Sequence, residues 1–117
     1  MLEMVVNQYF QKLLSSVIAA GKNGYFLGAV MPKNCFTSID SNSPKIAGLQ
    51  LRPFNFSNRD FGFHPYYPHK QQYNIFDDVV AWVITYLFFL CKIYKIPIRV
   101  RKNITPLAFI KEIITNP

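Results

Sequence analysis

Few residues in this 117-residue chain could do chemistry, and their spacing narrows what they could do. His64 and His69 flank Pro65-Tyr66-Tyr67-Pro68. That arrangement matches no zinc-ligand spacing, such as the HxxxH that sets two imidazoles on one helix face, so no metal is expected. Asp77 and Asp78 are adjacent. On a helix, neighbouring side chains diverge by about 100°, so the pair cannot act together on one substrate as acid and base. Ahead of an apolar run they suit a helix N-terminus instead, with Asn74 as cap and both carboxylates at the positive end of the dipole. Cys35 and Cys91 stand far apart with no CxxC pair, which is neither a disulfide framework nor a zinc site. Cys91 closes an apolar run and reads as a small buried hydrophobe.

Gly21-Lys22-Asn23-Gly24 has the GxxG spacing of a nucleic-acid backbone clamp, but the segment after it is a poor helix, so it reads as a turn. The main charged feature is Lys92, Lys95, Arg99, Arg101 and Lys102, a run without an acid among them. Such a cluster can contact lipid headgroups or RNA phosphates. RNA readers interleave stacking aromatics with their charges, and only Tyr94 does so here, which favours headgroups. The whole chain carries 13 Lys and Arg against 6 Asp and Glu, net +7, which suits an anionic partner. No catalytic, cofactor-binding or metal-binding residue emerges. The chain reads as a non-enzyme with no cofactor and no small-molecule substrate.

The elements that carry these residues follow from periodicity. Residues 1–31 hold an amphipathic helix, with apolar residues from Leu2 to Ile18 repeating at three and four, Gly21 as its C-cap, and a short apolar segment up to Met31. Residues 32–74 hold five of the eight prolines and many aromatic rings. Disordered segments are poor in aromatics, and long structureless loops are uncommon in compact domains. The region therefore reads as an extended arm that docks Phe54, Phe56, Phe61, Phe63, Tyr66 and Tyr67 into partner subunits. Residues 75–96 form a helix that is apolar on every face. Residues 97–117 give a basic strand and a short helix capped at Thr105, with Pro106 first and Leu107, Ile110, Ile113 and Ile114 as its apolar stripe.

Only 16% of residues are charged, against about 25% in soluble domains. With Trp82 and Tyr94 near its two ends and cations after it, 75–96 is expected to be a transmembrane helix. The fold class expected is mainly α: amphipathic helix, extended arm, apolar span, short strand and C-terminal helix. The alternative is a small soluble α+β domain. The first twenty residues are too polar for a secretory signal. The expected function is a structural, accessory subunit of a larger membrane protein complex that stabilises neighbouring subunits. Its expected place is the mitochondrial inner membrane, in an energy-transducing complex, with the C-terminus on the matrix side and lipid as a partner. The competing expectation is a small basic subunit of a ribosome-associated RNA–protein assembly, with nucleic acid as partner and the apolar helix buried against protein.

Overall fold

A computed structural model describes residues 2–37, 44–46, 51–56, 66–67, 72–97 and 104–115. Within them the chain is mainly helical, with α1 (Leu2–Lys22), α2 (Ile75–Ile93) and α3 (Pro106–Thr115). Four short strands accompany the helices: β1 (Tyr25–Phe26), β2 (Cys35–Thr37), β3 (Pro44–Ile46) and β4 (Arg52–Pro53). They form two antiparallel pairs, β1 with β4 and β2 with β3.

α1 and α2 pack as an antiparallel pair. Gly21 lies against Ile75 at one end, and Trp82 Nε1 donates to the Phe10 carbonyl at 2.8 Å in the middle. The Tyr86 hydroxyl donates to Asn7, and the Tyr94 hydroxyl to Glu3 at the far end. Phe10 is the central side chain. It stacks on Tyr86 with centroids 4.7 Å apart and touches the rings of Trp82 and Phe89. Such ring pairs add about 0.5–1.5 kcal/mol beyond the area they bury. α3 packs on α2 as well, through a shorter contact, and buries Phe109.

One flank of the helix pair is covered by the rest of the chain. Tyr9, Leu13 and Val17 of α1 and Ala81 of α2 join Phe26, Leu27, Val30, Met31, Tyr67 and Tyr73 in one buried cluster. Phe54, Phe56 and Tyr66 pack against that cluster. The middle region, where it is described, thus folds back on its own helices instead of reaching away, because those helices already offer the apolar surface that its rings need. Phe61 and Phe63 lie outside the described residues.

The helix ends follow local rules. Asn74 caps α2 in a reciprocal capping box: its side chain accepts from Phe76 N at 2.8 Å, and the Asp77 carboxylate accepts from Asn74 N at 2.7 Å. At the other end, Ile96 N donates to Cys91 O and Lys95 N to Lys92 O, the pair of bonds that closes a helix around a left-handed residue. Lys95 holds that conformation at φ 57° where glycine is usual; residues 98–103, where the basic strand was expected, lie outside the described residues. Thr105 caps α3, accepting from Ala108 N. α1 runs past Gly21 to Lys22, so Gly21 is an interior helical residue and not the expected C-cap.

The membrane span and the membrane localisation expected from sequence are corrected here. Among the described residues no helix is long and apolar enough to cross a membrane. α2 has the length, about 28 Å at 1.5 Å per residue, but it carries Asp77, Asp78 and Lys92. Asp78 is bonded to the chain's own buried backbone, and α1 covers another face of the helix. The layout fits the compact α+β alternative better than a lipid-spanning one, and the mitochondrial inner-membrane placement falls with the span.

Two substitutions test the helix pairing and its end. A β-carbon on Gly21 would sit 2.5 Å from Ile75 Cδ1 and 3.0 Å from its Cβ. Gly21→Ala should therefore destabilise the protein in chemical denaturation by about 1–2 kcal/mol, although alanine is the better helix former by about 1 kcal/mol. Lys95→Gly relieves the left-handed strain and should raise stability by about 0.5–1 kcal/mol, read as a higher denaturation midpoint at unchanged slope.

Candidate functional site

The most buried concentration of polar groups among the described residues surrounds Asp78. Its carboxylate is fully buried on the first turn of α2. Oδ2 accepts from Leu27 N at 2.6 Å, and Oδ1 accepts from Gly28 N at 3.1 Å and from the Tyr67 hydroxyl at 2.7 Å. Tyr67 in turn accepts from Val30 N at 3.2 Å, and Thr85 Oγ1 donates to Val30 O. Arg52 donates to Leu27 O at 2.9 Å, its guanidinium lying over the Phe56 ring. Gly28 sits at φ 71°, a backbone conformation that glycine adopts at low cost and that turns its N–H toward the carboxylate.

Chemically, this cluster is saturated. Burial raises the Asp78 pKa, and the three donated hydrogen bonds only partly oppose that rise. Burial also pushes the Tyr67 hydroxyl well above the usual tyrosine range, with the nearby Asp78 charge adding to it. Asp78, Tyr67 and Thr85 are buried and bonded to backbone or to each other, so the cluster holds chain segments together. The sequence reading of Asp78 as a dipole-matching acid was local and missed this longer-range role. Asp77 does sit in the cap, as expected.

The second cluster is Cys35, Tyr9 and Tyr66. The thiol bonds to the Tyr9 side chain and the Met31 backbone, yet desolvation by burial outweighs both and raises its pKa. Burial, then the neighbouring Cys35, pushes Tyr66 up to about 12. A thiol held protonated is a poor nucleophile. Cys91 is buried, with its pKa also raised by desolvation, which fits the small hydrophobe expected of it.

The other residues singled out from sequence are scattered. Lys92 and Lys95 are exposed at the end of α2, Lys92 over the Phe88 ring. Arg99, Arg101, Lys102, His64 and His69 lie outside the described residues. Tyr67, expected on a docking face, is in the core, and Phe54, Phe56 and Tyr66 are half-buried against it. No group of three or more metal-ligating side chains exists among the described residues. Of the Gly21–Gly24 segment, Gly21 and Lys22 finish α1 and Asn23 and Gly24 form a turn, with Asn23 N on Ala20 O and Gly24 N on Gly21 O.

What remains is a surface that sequence reading did not find. On α2, Phe76, Val80, Val83, Leu87, Leu90 and Tyr94 recur at spacings of four and three, and none of the six is buried. Phe76 is 70% exposed and Tyr94 55%. On α1, the row Met4, Asn7, Gln11, Leu14 and Ile18 lies on the flank of Asn7, which meets Tyr86, and likewise has no buried member. Both rows lie away from the buried flank of Leu13, Val17, Asp78 and Thr85. The helix pair therefore has one covered face and one less covered face, which is apolar along α2, half-buried at Val80, Val83, Leu87 and Leu90 and exposed at Phe76 and Tyr94, and mixed along α1, where Asn7 and Gln11 interrupt it. The sequence signal for it was a heptad spacing, hidden because α2 is apolar on all sides.

No family model, curated protein or solved structure matches this chain.

Alkaline titration tests the buried network. An acid whose folded-state pKa is raised keeps its proton longer in the fold than in the unfolded chain, where tyrosine titrates near 10. The contribution of both phenols is thus present in full below about pH 10; that of Tyr66 is lost as pH rises toward about 12, and that of Tyr67, raised well above the usual range, outlasts the free phenol as well. Absorbance titration should show these two phenols ionising only as the protein unfolds. Tyr67→Phe should lower stability at neutral pH by about 1–2 kcal/mol, since Val30 N loses its acceptor, and should shallow the alkaline fall.

Proposed function

We propose that this protein is a non-catalytic accessory subunit that binds other proteins of a larger assembly through the open face of α1 and α2. The observation that carries the reading is the unburied apolar row on α2, from Phe76 to Tyr94. The row is exposed at both ends and half-buried between them, and an apolar surface that reaches solvent along a helix suits an interaction site. Its shape, a ridge at alternating three- and four-residue steps, suits a helix of a protein partner. The cluster around Asp78 is engaged within the fold, and the thiol of the other, part-buried cluster is held protonated, so surface contact is the reading favoured here.

A second reading, as a basic subunit of an RNA–protein assembly, draws on one observation. Glu3, Asp77 and Asp78 are engaged within the fold, while Lys12, Lys22, Lys92, Lys95 and Lys111 face solvent. Two acids, Asp77 and Asp78, are thus buried, while Glu3 and Glu112 share the surface with these lysines, which leaves that surface net basic.

Gradient sedimentation of a native extract separates the two. The chain should travel in a particle larger than two copies that survives ribonuclease and about 0.5 M salt, where phosphate contacts weaken steeply. Phe76→Glu, at an exposed position, should release it from that particle. Loss of the particle on ribonuclease treatment, with Phe76→Glu silent, would install the RNA reading instead.

A further inference from the structure

We propose that a second copy of this chain binds the open helix face, with α2 of one copy antiparallel to α2 of the other across a two-fold axis. The proposal deepens the reading above and rests on it, since it names the first protein partner of that face.

The spacing of the row carries the geometry. Phe76, Val80, Val83, Leu87, Leu90 and Tyr94 are placed symmetrically about position 85. Antiparallel pairing sets Phe76 against Tyr94 of the other copy, Val80 against Leu90 and Val83 against Leu87. Each aliphatic layer then joins one small and one large side chain, and the end layers join two aromatic rings. Parallel pairing would set valine on valine and leucine on leucine, leaving alternate layers thin and crowded, and close packing disfavours that.

The charges agree with the same orientation. The positions flanking the row are Asp77, Val79, Ile84, Tyr86, Cys91 and Ile93. Their single acid is buried in the capping box, so no exposed like charges face each other along the seam. The two helix dipoles also run head to tail. The net charge of +7 per copy opposes association, but at physiological ionic strength its reach is only about 8 Å.

The area is adequate. The molecule is a slab of 39 × 37 × 20 Å, about two layers thick. Two helices about 28 Å long and roughly 10 Å apart present a projected footprint of roughly 560 Å². Corrugated by side chains, that approaches the ~800 Å² per partner of a stable interface.

Analytical ultracentrifugation of the purified full chain decides the matter. The expected species has twice the 13.6 kDa of one chain, about 27 kDa, and tightens as salt rises because charge repulsion is screened. Phe76→Glu should weaken the dimer at least tenfold with an unchanged far-UV spectrum, and Leu87→Glu should act likewise. Mixing Val83→Cys chains with Leu87→Cys chains should give mixed disulfide dimers in preference to like-with-like ones. A wild-type chain that stays monomeric at high concentration overturns the proposal, and so does like-with-like cross-linking at Val83. If the monomer result comes with Phe76→Glu still releasing the chain from its native particle, only the self-association fails and the protein-binding reading stands.

Discussion

The fold depends on one buried carboxylate. Residues 27 to 31 run through the interior beyond the two-residue strand β1, where ladder partners end and backbone N–H groups would otherwise go unpaired. An unpaired buried backbone group costs about as much as a lost hydrogen bond, so this segment can be internal only if side chains serve it. Asp78 takes the N–H groups of Leu27 and Gly28. Tyr67, itself held by Asp78, takes that of Val30, while Arg52 and Thr85 serve the carbonyls of Leu27 and Val30. Four residues from three regions of the sequence thereby substitute for a neighbouring strand. A carboxylate is suited to the task because it is an acceptor only and can take several donors at once.

α2 shows how one apolar helix serves several surfaces by sector. Val79, Trp82, Tyr86 and Phe89 pack on the cluster around Phe10. Asp78, Ala81 and Thr85 face the extended segment, and a third sector bears the open row. Ile84 and Cys91, on the far side from Phe10, are buried as well. The helix is apolar all round because most of its circumference meets protein within the same chain, and the rest is a surface left for contact.

How much of this was legible in the sequence depends on the range of each interaction. The capping box at Asn74 and Asp77, the cap at Thr105 and the apolar period of α1 are local, and spacing alone reveals them. The role of Asp78 is not local, since its backbone partners lie 50 and 51 residues away. Tyr67 misled for the same reason: proline-flanked aromatics resemble a docking arm until the surface they dock on is known to be their own. Strands of two or three residues are too short for alternation to register, so the two ladders went unseen. The membrane reading failed because hydropathy records how apolar a helix is, not what surrounds it. The stripe expected on α3 was misplaced similarly. Phe109 is the buried anchor, and Leu107, at 72% exposure, faces away.

The pairing of α1 with α2 also sets an order of events during synthesis. The bond from Trp82 to Phe10 spans 72 residues, so α1 leaves the ribosome well before the helix that completes it. At roughly 5–20 residues per second, the interval is on the order of 4 to 14 seconds. Through that time the Phe10 ring lacks the Trp82, Tyr86 and Phe89 rings it packs on, and α1 must persist as a marginal helix or associate with whatever apolar surface is near. The first-made helix of this chain is the one most in need of protection before the fold closes.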